Sequence, residues 1–462
     1  MKPSSTIHAA LISTLLVGCQ MTPDLRMPEA ANPAAFKDQS QGAGEALRPD
    51  WWQGFQESEL NQLIKHIDGG NLELQMAVAR ADQAYAALGF VRAERYPSLD
   101  GRGSVQRRRR SGDDRGGFSS NPSTEYRGGL AFGWEIDLWG RVRKLVEAGQ
   151  AEATAADALT EDVRLALRGL LARNYFALRT LDQERLVLEE AVVTREDNLK
   201  FAQRRFAAGI TPELDVARAD TELATTRSEL ASLHGPRTRL ENAIAVLTGR
   251  APSDFQLAAR AFDARLPVIR AGVPMEMLAA RPDVAAAKAE LVAAYARIGV
   301  ARAEYFPQVT LIGSGGYSNI KSSDFLKWSS RTFAIGPEVT LPIFQGGRLR
   351  ANEKRARAEF AEAVAHYRQA VINALREVEN ALADLTAARD QTGAQNRAVK
   401  AAGRALELSS KRYRAGLVSS LEVVDAVREQ LDAKRRAVQI RGQQFEATVQ
   451  LIQGLGGGLS IR

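Results

Sequence analysis

Residues 71–99, NLELQMAVARADQAYAALGFVRAERYPSL, line up with residues 281–309, RPDVAAAKAELVAAYARIGVARAEYFPQV. Tyr85 pairs with Tyr295, Arg92 with Arg302 and Pro97 with Pro307, an offset of 210. Further on, GRVR (140–143) matches GRLR (347–350), and RRFAAGI (204–210) matches KRYRAGL (411–417), both at an offset of 207. The change of three falls between these blocks, where a loop absorbs it. Repeats of about 20 to 50 residues would predict a solenoid. A duplication of about 200 residues predicts two similar halves in one chain.

Each half reads helix, strand, strand, long helix, tight turn, long helix. The first helix of each half is expected to stop at Pro97 or Pro307. Strands are expected near 98–110, 124–138, 308–320 and 331–344. In YRGGLAFGWEIDLWGRVR (126–143), Tyr126, Leu130, Phe132, Trp134, Ile136 and Leu138 alternate with small or charged residues. A period of two puts them on one face of a strand. In 331–344, Phe333, Ile335, Val339, Leu341 and Ile343 share one face, and Thr332, Ala334, Gly336, Glu338 and Thr340 the other. Pro337 and Pro342 weaken this strand, since proline removes a ladder donor.

Between Arg141 and Ala207 there is no proline, only Gly149 and Gly169. An unbroken helix there would run about 100 Å at 1.5 Å per residue, and a break at either glycine is the alternative. Leu181, Arg185, Leu188, Val192, Arg195 and Leu199 follow coiled-coil spacing, with two arginines that keep the seam from being uniformly dry.

The net charge is +7 with 25% charged residues, and most basic residues alternate with acidic ones along helical stretches. That predicts solvated helix faces and not nucleic-acid binding. Cys19 is the only cysteine and follows a short apolar run ending Leu16-Val17-Gly18. The run is too short to span a bilayer and resembles a signal peptide with a lipobox. Cys19 is then the expected lipidation site, with no other cofactor. Gln20 after it favours the outer membrane. Beyond Cys19 no apolar run is long enough for a transmembrane helix. A membrane crossing would therefore need a closed β-barrel.

Four strands cannot close, since the smallest membrane barrels have about eight. Chains must share. Small and charged residues on the second face suit a wet lumen, which favours three chains and twelve strands over two chains and a filled barrel.

WWQGFQESELNQLI (51–64), NLELQMAVAR (71–80), WEIDLWGRVR (134–143), RPDV (281–284), AEYFP (303–307) and LPIFQGGR (341–348) together resemble the TolC-like outer-membrane efflux family, in its lipoprotein branch. The resemblance covers nearly the whole mature chain. It implies a mainly α protein with a membrane β-barrel: a homotrimer with a twelve-stranded barrel continued by a periplasmic α-barrel. It also implies a passive duct that is not an enzyme. The implied partners are a periplasmic adaptor, a proton-driven inner-membrane pump and outer-membrane lipid. The expected division is 1–18 signal peptide, 19–60 anchored segment, 98–140 and 308–347 membrane hairpins. Residues 61–97, 141–249, 274–307 and 348–455 are periplasmic helices, 250–273 a linker and 456–462 a tail.

Gly209-Ile210 and Gly416-Leu417 occupy matching turns between long helices, and both glycines suit a positive φ. Thr211 resembles an N-cap, with Pro212 at the first helical position. The resemblance implies that these turns form the periplasmic mouth and meet the adaptor. Glu422 and Asp425, three apart, share a helix face, and threefold symmetry would make them rings of negative charge. With Asp215 and Tyr413 they match the family's gate, Asp215 being a possible partner of Tyr413. Val418 stands where some relatives carry a locking arginine. Leu130, Phe132, Trp134 and Ile136 are expected to face lipid, and Glu135 and Asp137 the lumen or its rim. Arg107 to Arg110 is expected at the cell exterior near lipid phosphates.

His8, His66, His234 and His366 are scattered, and no HExxH, CxxC, P-loop or GxSxG occurs, so neither a metal site nor these catalytic motifs are expected. Two rivals remain open from the residues: an exit duct for secreted proteins, and a lipid-anchored periplasmic coiled-coil scaffold without a pore. The alternating strands weigh against the scaffold.

Overall fold

The computed structural model describes residues 25–31, 33–37, 48–109, 122–261, 263–267, 269, 274, 278 and 281–458. Cys19, the stretch before it and Arg110 lie outside them. A 3₁₀ turn (Trp51–Phe55) leads into α1 (Ser58–Gly70) and α2 (Leu72–Ala93). Then come β1 (Ser98–Arg108), β2 (Ser123–Ile136), α3 (Arg141–Ala207), α4 (Glu213–Ser232) and α5 (His234–Leu247). The second half repeats the plan as α6 (Pro282–Ala303), β3 (Gln308–Asn319), β4 (Arg331–Thr340), α7 (Arg348–Arg414) and α8 (Ser420–Gly454). The helices α2 and α6 end four residues before Pro97 and Pro307, earlier than expected. Strand β4 stops at Thr340, so Leu341 and Ile343 fall outside it. No helix among the described residues is long and apolar enough to cross a membrane.

The helices α3 and α7 have 67 residues each. Neither Gly149 nor Gly169 breaks α3. A Cβ on Gly149 would stand 3.2 Å from the Val91 side chain, and one on Gly169 would overlap the Gln453 amide. Both glycines therefore serve close packing instead of bending the helix.

The chain divides into two compact units. The first contains Arg80–Asp157 and Ala286–Tyr367. Its sheet has the order β1-β2-β3-β4, antiparallel throughout, so β1 and β4 are edges. The register sorts side chains cleanly. Leu99, Phe132, Gly313 and Ile335 stand in one cross-strand row, and Trp134, Leu311 and Pro337 in the next on the same face. The opposite face carries Arg102, Gly129, Gly316 and Thr332 in one row, and Glu135, Thr310 and Glu338 in another.

Helical pairs below the sheet obey the duplication. Leu88 packs with Val146, Ala153 and Val91 in the first half. Ile298 packs with Ala301, Ala356 and Phe360 in the second. By the repeat offsets, Ala153 corresponds to Phe360 and Val91 to Ala301. A larger side chain at one position is matched by a smaller one at its neighbour, which keeps the volume filled.

The second unit contains Ala30–Ala79, Ala158–Ala285 and Arg368–Arg462. Its core collects Trp51, Trp52 and Phe55 with Ile64, Phe176, Ile244 and Phe445. Phe176 stacks on Phe445 at 4.6 Å and meets Phe55 at 4.7 Å. This is where the apolar part of WWQGFQESELNQLI is buried. Its carboxylates hold an ionic network. Fully buried Arg179 bonds Asp182 at 2.6 Å, the Ala258 carbonyl at 2.9 Å, and Glu59. Arg260 bonds Glu57 at 2.6 Å, and Arg237 bonds Asp182 at 2.8 Å. A buried charge is tolerable only with such partners.

Candidate functional site: paired helix turns and a two-faced sheet

The turns after α3 and α7 are built alike. Gly209 has φ 69° and Gly416 has φ 75°. The Gly209 N–H donates to the Phe206 carbonyl at 2.8 Å and the Ile210 N–H to Arg205 at 2.9 Å. The Gly416 and Leu417 N–H groups donate to Tyr413 at 3.0 Å and Arg412 at 2.9 Å. This pair of bonds is the Schellman ending, which satisfies helix carbonyls through a left-handed residue. It leaves Ile210 and Leu417 62% and 71% exposed.

The expected cap at the start of α4 is corrected. The helix begins at Glu213, Pro212 holds the cap position, and no side chain caps it. The Thr211 hydroxyl bonds instead to the Asp215 carboxylate. Asp215 Oδ1 also accepts from Ser420 Oγ at 2.6 Å, which joins the first turns of α4 and α8. Burial opposes the charge on Asp215, but the hydrogen bonds from Ser420 and Thr211, with Arg218 and Arg205 nearby, hold its pKa below the usual carboxylate value.

Tyr413 is not hydrogen-bonded to Asp215 within the chain. Its ring meets Phe201 edge to face at 6.1 Å, and the Arg205 guanidinium lies over it at 5.3 Å. Burial raises the Tyr413 pKa, with Asp215 adding to the rise and Arg205 opposing it. Both residues border a cavity of about 440 Å³ whose apolar wall includes Phe201, Val423, Val424 and Val427. Glu422 and Asp425 are exposed and do not line it. Glu422 stands 3.7 Å from Arg412.

A second tier ties the same helices together. Glu222 on α4 accepts from Arg428 Nε of α8 at 2.8 Å and pairs with Arg195 of α3 at 3.4 Å. Arg195 is 95% buried, with its Nε unpartnered. The arginine is visible in the sequence as a polar seam position. Its partners are not, because they come from other helices.

At the strand-to-helix junction, Asp137 accepts from the N–H groups of Val142 at 3.1 Å and Arg143 at 2.9 Å. It thus caps α3. Glu135 holds Arg141 at 2.8 and 2.9 Å and receives Gln308 at 2.8 Å. These two carboxylates, expected at a lumen or rim, have structural partners at this junction. Gly140, at φ 80°, makes the turn after β2 has ended at Ile136.

On the apolar face, Leu130, Phe132, Trp134 and Ile136 share one side of β2. Leu130 is 55% exposed, and Trp134 donates its Nε1–H to the Arg95 carbonyl at 3.0 Å. Tyr126 and Tyr317 mark the hairpin end of that face, Phe333 and Phe132 its middle and Trp134 the helix end. Aromatics at both ends of an apolar band are the pattern of a membrane strand.

The family model for outer membrane efflux proteins matches residues 63–250 and 273–457. The chain belongs to this family. It is an outer-membrane protein of tripartite efflux systems, with the TolC-like channel fold. It is 31% identical to the solvent efflux pump outer membrane protein SrpC of Pseudomonas putida, over 97% of each chain. It is 31% identical to outer membrane protein OprJ of Pseudomonas aeruginosa, over 99% of this chain and 96% of that one. The outer-membrane channel OprN superposes with a TM-score of 0.89 at 30% identity, over 96% of this chain and 100% of OprN. The open-state MtrE channel of Neisseria gonorrhoeae gives 0.86 at 28% identity, over 96% and 99%.

Proposed function

We propose that three copies of the chain form a passive exit duct for small molecules, closed at its helix turns and opened by partners. The observation that carries this reading is the sheet, apolar on one face, polar on the other and, among the described residues, open at both edges. Three such sheets joined edge to edge supply twelve strands, enough for a wet lumen. The polar rows then line the lumen and the apolar rows meet lipid. Cys19 carries a covalent lipid that anchors the chain, with no other cofactor, and the protein catalyses no reaction.

The gate in this reading is the cluster around Asp215. The Ser420–Asp215 bond and the Arg195–Glu222–Arg428 group tie α4 to α8, and they supply the hold that Val418 cannot. Glu422 and Asp425 are left as exposed acidic rings. A periplasmic adaptor docks on the turns, where Ile210 and Leu417 offer apolar contacts, and a proton-driven inner-membrane pump selects the cargo. Planar-bilayer recording tests the reading directly. The unboiled protein is expected to migrate as a heat-sensitive trimer and to conduct in small steps. A monomer without conductance would overturn it.

A further inference from the structure

The sheet joins helices at one end, at residues 98, 136, 308 and 340, so the β3–β4 connection (320–330) lies at the other. With periplasmic helices, that end meets the outer leaflet. The connection is a built structure. Asn319 Nδ2 donates to Ser330 Oγ at 2.6 Å, and Ser330 Oγ donates to the Asp324 carbonyl at 2.7 Å. Two 3₁₀ turns, Ser322–Asp324 and Trp328–Ser330, shape it.

Phe325 fixes the side to which it folds. A Cβ on Gly128 would stand 3.0 Å from the Phe325 ring, and the ring lies 6.2 Å from that of Tyr317. Gly128 and Tyr317 are paired on the same face as Leu130 and Trp134. The connection therefore folds onto the apolar face of the sheet.

Outward it presents Leu326 and Trp328, each 74% exposed. Lys321, Lys327 and Arg331 flank them, with Asp324 the one carboxylate of the segment. Lys327 reaches Asp324 at 2.7 Å, and Arg331 lies over the Trp328 ring and donates to its carbonyl at 2.9 Å. Arg107 sits at the same end of the same face, on β1. Exposed apolar side chains beside an excess of cations complement an amphiphile with an anionic head. A small free anion would gain nothing from the apolar side chains, and an uncharged lipid nothing from the cations.

We propose that the β3–β4 connection binds a phosphorylated lipid of the outer leaflet. The phosphate sits among Lys321, Lys327 and Arg331, and the acyl chains run along Trp328, Leu326 and the apolar strand face. The inference rests on the reading that the sheet spans the outer membrane. The test is native mass spectrometry of the full-length protein in detergent, with bis-phosphorylated lipid A, its dephosphorylated form and phosphatidylethanolamine as probes. Only the bis-phosphorylated lipid A, with its net negative head, is expected to stay bound; zwitterionic phosphatidylethanolamine should be lost, and millimolar inorganic phosphate should not displace lipid A. The K321A/K327A/R331A variant should bind it about a hundredfold more weakly, as the loss of three surface cations implies. W328A should also weaken it. Equal retention of the dephosphorylated lipid, undiminished binding by the triple variant, or ready displacement by inorganic phosphate would each overturn the proposal. Trimer migration and conductance of the variant, expected to match the parent, separate this outcome from a failure of the channel reading.

Discussion

Ser420 donates its hydroxyl to Asp215 at 2.6 Å, a bond between the first turns of two helices whose residues lie 205 positions apart. Asp215 also holds Thr211, so one carboxylate secures the start of α4 and ties it to α8. Asp215→Ala should release both and raise single-channel conductance, with Ser420→Ala giving a smaller rise. Tyr413→Phe should change conductance less than Asp215→Ala, because within the chain the Tyr413 hydroxyl is not bonded to Asp215. Unchanged conductance in Asp215→Ala would remove this residue from the closed state.

Glu222 is shared by a buried arginine and an exposed one. Glu222→Ala leaves Arg195 buried without its counter-ion, which should cost about 3–5 kcal/mol locally. Arg428 has 55% of its side chain exposed, so Arg428→Ala should cost no more than about 1 kcal/mol. Hydrogen exchange at the ends of α3 and α4 measures both. A similar loss of protection in the two variants would contradict the burial argument.

Asp162 is the titrating group to follow in the second unit. Burial, with Asp283 and Glu377 close by and only Arg281 opposing, pushes its pKa up to about 6. A carboxyl raised in the folded state favours folding when protonated, so its contribution is present below pH about 4 and lost as the pH rises through about 6. Asp162→Asn should flatten that slope and stabilise the protein at neutral pH by about 1–2 kcal/mol after allowance for solvent screening. Melting curves between pH 4 and 8 decide the point, and parallel slopes for parent and variant would refute it.

Where Gly129 faces Gly316, β2 and β3 approach with no room for side chains. A Cβ on Gly316 would stand 2.2 Å from the Gly128 carbonyl oxygen. Gly316→Ala should therefore disturb the β2–β3 register and reduce the heat-sensitive trimer recovered from outer membranes. Gly315→Ala, where a Cβ meets nothing within 4 Å, should be tolerated and serves as the control.

The duplication and the strand faces were legible because each is written in periodicity, which one sequence carries by itself, and the length of α3 because no proline interrupts it. The matching glycine turns were legible for the same reason, being repeated. The clasps were not. Ser420, Glu222 and Arg428 are unremarkable polar residues on solvated helices until the fold sets them beside Asp215 and Arg195. Thr211 fits the cap pattern through its neighbours, yet its hydroxyl donates to a carboxylate instead of accepting from the helix N–H groups. The fold over Gly128 was equally hidden, since nothing in a lone glycine names the ring that will cover it.

The two unpaired edges of the sheet carry a thermodynamic consequence. Strands β1 and β4 each present a row of ladder groups with no partner among the described residues, a template for any strand that arrives. A solitary protomer is then an aggregation hazard, and its membrane part gains full backbone pairing only in company. Its stability should follow mass action, rising with protomer concentration. Dilution in detergent should loosen the strands before it melts the helices.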